Sequence, residues 1–440
     1  MTLSPDFSRK SSHLSTISWI LYDLANTAYS MNIVSLYFGT WIIIDLAKSD
    51  VYVSLVNALS MLLVAFTMPV LGDWSDIRQK KLPALLLFTA VCISGTTVMG
   101  LLGMTIRNIS LLLPLVLILY ILTNYSYQGG LVFYNALMPS VSTPKTIGRV
   151  SGYGVAIGYM GTIIGLVVAR LFVEGNAFGL KVPGISGGGT VAAFIPTAGL
   201  FLIFAIPIFL FVREAPPSHS QQGTWNLKNS YRKVFNNIRN TKKYPGLLRF
   251  LIAKLLYEDS VQTIIIFMGV YTQIVMGFSR EQANLFMIVL TPFAILGSAF
   301  CGIMTDHYGP KKTLTTVISL WIVSLFLIVL ISNQIAFWIL GGIIGALLGS
   351  TWTSARPLLI TLAPKDMLGE FFGLYALSGK LAAIIGPMIW STVTLSMGAF
   401  GNVIKFKAAI LALAVIMFIG LLVLRPVPDF HPKLKKGELP

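Results

Sequence analysis

Apolar runs of about 20 residues, parted by short polar turns, fill most of this chain and leave it few ways to fold. That is the length an α-helix needs to cross a hydrocarbon core about 30 Å thick. Inside lipid each backbone polar group must be satisfied within the span, which a helix does. Strands of a membrane barrel would instead alternate every second residue over about ten residues, and these runs do not. With 55% apolar and 11% charged residues over 440 positions, an ordinary soluble enzyme is excluded.

The runs predict an all-α integral membrane protein with twelve transmembrane helices in two pseudo-symmetric six-helix halves. Spans are expected near residues 17–44, 53–71, 82–102 and 111–138, with a fifth opening at Gly148 and a sixth ending near Val212. The second set lies near 247–276, 282–303, 313–331, 335–363, 370–396 and 403–424. The implied domains are 1–212 and 247–424, joined by a cytoplasmic linker at 213–246 and followed by a tail at 425–440. With a cytoplasmic N-terminus, 22 of the 32 Lys and Arg fall on the cytoplasmic side, 7 outside and 3 within helices. That is the bias that orients membrane proteins, so the net charge of +16 reads as topology and inner-leaflet attraction, not nucleic-acid binding. Both termini are therefore expected in the cytoplasm. Trp19 and Trp41 fall where interfacial aromatics sit. No removable signal peptide is evident, and Cys92 and Cys301, both inside spans, support neither a disulfide framework nor a metal site.

The chain also repeats itself. Gly148-Arg-Val-Ser-Gly152-Tyr-Gly-Val-Ala-Ile-Gly158-Tyr159-Met-Gly-Thr-Ile-Ile-Gly165 returns, without a gap, as Gly369-Glu-Phe-Phe-Gly373-Leu-Tyr-Ala-Leu-Ser-Gly379-Lys380-Leu-Ala-Ala-Ile-Ile-Gly386. Small residues at this spacing let membrane helices approach closely. One position breaks the symmetry, since Lys380 stands where the first copy has Tyr159. Leu21-Tyr22-Asp23 likewise returns as Leu256-Tyr257-Glu258, and Gly72, Asp76 and Lys81 return as Gly302, Asp306 and Lys311. Within the linker, Trp225, Tyr231, Val234, Phe235 and Ile238 recur at helical spacing among Lys228, Arg232, Lys233 and Arg239. This predicts an amphipathic basic helix on an anionic inner leaflet.

The two Gly-x-x-x-Asp loops resemble the signature loop of the major facilitator superfamily. Narrower motifs resemble its unknown major facilitator branch, whose eukaryotic members are the autophagy-related vacuolar amino-acid effluxers. They are Trp19-x-x-Tyr22-Asp23-x-x-Asn26, Phe133-Tyr-Asn135, Gly148-Arg149-Val-Ser-Gly152 and Glu370-Phe-Phe-Gly373-x-Tyr375-x-x-Ser378-Gly379-Lys380. The resemblance implies alternating access by two rocking halves around a midplane site. It also implies that Asp76 approaches the start of the eleventh span, where Glu370 lies. Asp306 is then expected to approach the start of the fifth, where Arg149 is available, and both contacts would close the cytoplasmic side.

An ionisable side chain inside a span costs at least about 2.5 kcal/mol, so each should face a cavity or a partner. Asp23, Asn26 and Ser30 form a polar stripe that either contacts cargo or tethers helices. Glu258 and Asp259 are adjacent and therefore point about 100° apart, with Gln262 one turn beyond Glu258. One of the two carboxylates is expected to face the cavity and carry a coupling proton, and the other to contact a neighbouring helix or Lys254. Lys380 holds an anionic group of the cargo or forms an ion pair that opens and closes with the transport cycle. Arg356 reads as a gating pair or a cargo ligand, and Tyr375 as a further cargo contact. Asn124 and Gln128, on one face with Asn135, add polar contacts or interhelical glue.

No phosphate-binding glycine loop, metal-ligand cluster or catalytic triad spacing is present, so no enzyme, cofactor or metal is expected. The expected function is secondary transport of a small solute with an anionic group, an amino acid among them. It would be proton-coupled efflux by a monomer in a bacterial inner membrane. The alternative is a transport-inactive receptor or assembly scaffold.

Overall fold

Short polar side chains set where the helices begin. The structure, a computed structural model, describes residues 12–177, 179, 186–214, 226–239, 244 and 246–429. Helix α1 (His13–Tyr29) starts where the Ser12 hydroxyl accepts from the Leu14 N–H, and it runs on to Asp45 through wider turns at Ser30–Tyr37 and Trp41–Asp45. Ser49 caps α2 (Asp50–Arg78), and Asn108 caps α4 (Ile109–Ala136) after α3 (Lys81–Thr105). Then come α5 (Ile147–Glu174), α6 (Phe194–Phe211) and the linker helix α7 (Leu227–Arg239). After α8 (Leu247–Ile274), a reciprocal Ser279–Gln282 box opens α9 (Arg280–Tyr308). The chain continues through α10 (Pro310–Leu330), α11 (Gln334–Leu362, capped by Asn333), α12 (Leu368–Ser396) and α13 (Asn402–Leu424).

Among the described residues, eleven helices are long and apolar enough to cross a membrane. The remaining long helix, α8, has 28 residues but carries Arg249, Lys254, Glu258 and Asp259. Chemistry, not length, sets it apart.

The chain divides into two compact units, Met1–Thr143 with Ile157–Trp225, and Pro144–Ala156 with Asn226–Pro440. In the first, α1 packs on α6, α2 and α6 flank α3 and α4, and α3 packs on α4. In the second, α8 packs on α13 and α12, α9 on α11, and α10 on α11 and α13. The two units thus pair their helices in the same order. The repeated loops both turn through a positive φ, 50° at Gln79 and 95° at its counterpart Gly309, but ψ differs, 38° against 151°. Glycine reaches either region freely, whereas glutamine is uncommon even in the first.

One expectation is corrected here, the interfacial placing of two tryptophans. Trp19 and Trp41 are both buried. Trp19 donates its indole N–H to the Tyr134 carbonyl at 3.0 Å and stacks on the Tyr134 ring, while Trp41 packs edge-on to Phe194. A buried indole needs an acceptor, and Tyr134 supplies it from within the unit. The linker helix does form, but its Ser230 and Val234 are buried while Lys228, Tyr231 and Arg232 are exposed. Trp225, the side chains of Phe235, Ile238 and Arg239, and the tail beyond Asp429 lie outside the described residues.

Candidate functional site

The charges of α8 meet the glycine-rich face of α12. Lys254 and Glu258, one turn apart, form an ion pair, and they are only 1% and 8% exposed. The Lys254 ammonium also sits over the Tyr375 ring, 3.9 Å from its centroid, which adds a cation–π attraction. Phe250 stacks on Tyr375 from the α8 side, and Arg356 of α11 acts on Tyr375 through its charge. Gly379 makes this approach possible, because a Cβ there would stand 3.0 Å from the Lys254 Nζ and 3.2 Å from a Glu258 oxygen. The next residue, Lys380, lies within Coulombic range of both Glu258 and Lys254. Two lysines and a carboxylate thus gather in a low-dielectric setting.

Asp259 turns away from this cluster. It is 1% exposed, and neither carboxylate oxygen makes a regular hydrogen bond among the described residues. It faces the backbone of Gly386 on α12, where an added Cβ would lie 2.9 Å from its Oδ1. Gln262 is half-buried one turn beyond Glu258.

The first unit builds the same contact without the lysines. Gly158 of α5 faces Asp23 and Thr27 of α1, and Gly165 faces Ala28 and Asn32. Asp23 is buried, and Tyr159, the counterpart of Lys380, is close enough to feel its charge. The Tyr159 hydroxyl and the Asn26 side-chain amide nitrogen have no hydrogen-bond partner among the described residues. Asn32 donates to the Gly165 carbonyl and to Thr197, tying α1 to α5 and α6. Asn124 donates to Asn57 at 3.3 Å, as does the Tyr120 hydroxyl at 2.8 Å, so Asn124 bridges α4 to α2. Gln128 and Asn135 are buried further along α4.

The loop carboxylates each hold a helix start or a neighbouring charge. Asp306 accepts from the Gly148 N–H at 2.7 Å, the Arg149 N–H at 3.1 Å and the Arg149 Nε at 2.8 Å. An anion there satisfies the orphan N–H groups of α5 and complements its dipole. Gly302 lets the backbones close, since a Cβ on it would stand 2.7 Å from the Gly148 carbonyl oxygen. Asp76, also buried, pairs with Lys81 at 3.2 Å. Glu370, fully buried in the first turn of α12, has Lys233 of the linker helix 3.6 Å away.

Asp306→Asn removes charge assistance from three bonds and is expected to speed amide hydrogen exchange across residues 147–150. Unchanged exchange there would show that the carboxylate does not hold the turn.

Sequence reasoning offered Lys254 only as one possible partner for either carboxylate, although its spacing to Glu258 is that of a helical ion pair. It also missed Glu214, whose carboxylate accepts from the Lys81 and Leu82 N–H groups at 2.8 and 2.6 Å and so caps α3. Nothing local marks that partner, which lies 133 residues away. No group of His, Cys, Asp and Glu suited to a metal occurs among the described residues.

These features define a multi-pass helical membrane protein. The chain belongs to the vacuole effluxer Atg22-like family, which it matches over residues 46–429. It is 25% identical over 422 residues to the uncharacterized MFS-type transporter YxiO of Bacillus subtilis, covering 94% of each chain. Its fold is that of a bacterial homologue of the iron transporter ferroportin in an outward-facing state. The TM-score is 0.72 at 14% identity, over 94% of this chain and 99% of that one. The proton:xylose symporter XylE shares the fold as well, with TM-score 0.70 at 12% identity, over 94% of this chain and 95% of that one.

Proposed function

We propose that this protein is a secondary active transporter that exports a small solute bearing an anionic group, an amino acid among the candidates. One observation carries the reading, the buried cluster of Lys254, Glu258 and Lys380 at the α8–α12 contact. Ionisable groups are costly inside a span and commonly mark a substrate or ion pathway. Two ammonium groups there suit a carboxylate from the cargo, with Tyr375 and Gln262 as further contacts. Within the first unit, Asp23, Tyr159 and Asn26 supply a polar surface of their own.

In this reading α8 is the twelfth span, the two six-helix halves rock around a midplane site, and protons drive the cycle. Asp306 with Arg149 and Asp76 with Lys81 belong to the cytoplasmic gate, as does Glu370. The setting is a bacterial inner membrane with both termini in the cytoplasm, the protein acting as a monomer. The exposed Lys228 and Arg232 of the linker helix face its anionic leaflet.

The test is a thermal-shift screen of detergent-purified protein against amino acids, other carboxylates, neutral sugars and organic cations. A carboxylate-bearing solute is expected to raise Tm, and Lys380→Ala is expected to abolish that rise. Stabilisation by neutral or cationic solutes alone would overturn the anion-site reading. A stabilising solute that fails to exchange across proteoliposomes would instead favour a receptor or scaffold.

A further inference from the structure

The two adjacent carboxylates of α8 live in different chemical surroundings, and the difference separates their roles. Glu258 pairs with Lys254 and has Lys380 in Coulombic range. Asp259 has no such company. Lys380 and Tyr375 of α12 engage the Lys254–Glu258 side, and Arg356 of α11 acts on Tyr375. The contacts from α13 to this stretch of α8 include the Leu413 carbonyl, which accepts from Ser260, and Gly420, which packs on Leu256 and Tyr257. The other charged groups of α13, Lys405 and Lys407, lie in its first turns, and those of α9, among them Glu281, Asp306 and His307, lie near its ends. None of them engages Asp259 among the described residues. The nearby hydroxyls along α8 are spent on backbone carbonyls, Ser260 on Leu413 at 2.9 Å and Thr263 on Asp259 itself at 2.7 Å.

A carboxylate removed from water with no cation beside it, and only the Gly386 backbone facing it, is better accommodated as the neutral acid. We infer that Asp259, not Glu258, is the proton-binding site of this transporter, facing Gly386 across the α8–α12 contact. The inference rests on the transport reading only for its meaning as coupling. Protonation itself is testable without any transported solute. The repeat supports a role added to one half, because the position matching Asp259 in α1 is Leu24.

Infrared difference spectra of the reconstituted protein between acidic and alkaline buffer provide the test. The wild type is expected to show a carboxylic-acid C=O band that Asp259→Asn removes and Glu258→Gln retains. A second measurement uses unmutated protein and dicyclohexylcarbodiimide, which reacts with protonated carboxyls in apolar surroundings. The acid O–H adds across one N=C bond, the acyl group then shifts to nitrogen, and the whole reagent stays attached with no leaving group. Mass spectrometry is expected to find the adduct on Asp259 and not on Glu258. An adduct on Glu258 alone, an adduct on neither residue, or a band that survives Asp259→Asn would each overturn the assignment. A solute that still exchanges across proteoliposomes after such a failure would leave the transporter reading standing.

Discussion

Lys254→Met is expected to destabilise the folded protein by about 3–5 kcal/mol, the cost of leaving a buried carboxylate without its partner. The substitution keeps the length and apolar stem of the side chain, so packing is little disturbed. What it removes is the ion pair to Glu258 and the cation over the Tyr375 ring. Lys380 remains in range of Glu258 and recovers part of the loss. The double variant Lys254→Met with Glu258→Gln is expected to be more stable than Lys254→Met alone, because no unpaired anion is left. Denaturant midpoints in detergent for the four proteins of this cycle measure the coupling directly. Additive effects would mean that the pair contributes nothing beyond its separate side chains.

Gly302→Leu carries the other large effect. Its Cβ would press on the Gly148 carbonyl at 2.7 Å and on the Cα atoms of Arg149 and Gly152 at 3.1 Å, all of them backbone. Side chains can turn aside, but two helix backbones have to part. Overpacking costs about 1–3 kcal/mol in yielding cores and more where nothing yields. The start of α5 then loses the Asp306 bonds to Gly148 and Arg149, and amide exchange over 147–152 is expected to rise with a lowered Tm. Gly269→Ala on α8 is the control, because an added Cβ meets nothing within 4 Å there. It is expected to be neutral or slightly stabilising, given the better helix propensity of alanine. Equal Tm losses in both variants would sink the close-packing account.

Much of this architecture is legible in the residues. Hydropathy marks the helices because lipid and water sort side chains along the chain, and Ser49, Asn108, Ser279 and Asn333 mark starts because their oxygens match orphan N–H groups. The repeated glycines carry through to repeated helix contacts. What the residues leave open is direction around a helix that is apolar on every side. Trp19 and Trp41 have interfacial composition and interior positions, and only the Tyr134 carbonyl and the Phe194 ring explain why. Adjacency fixes the angle between Glu258 and Asp259 but not which one finds the lysine. Partners distant in sequence, such as Glu214 for α3 and Lys233 for Glu370, carry no local signal at all.

The glycines facing Asp23 and Glu258 have a bearing on how such proteins lose function. At Gly158 and Gly379 the wall opposite each carboxylate is bare main chain, so room for chemistry exists only because a side chain is missing. A mutation there would alter no charge and no hydrogen-bonding group, yet it would push into the space beside Asp23 or the Lys254–Glu258 pair. Inactive variants of this chain are therefore to be sought among its smallest residues as much as among its ionised ones.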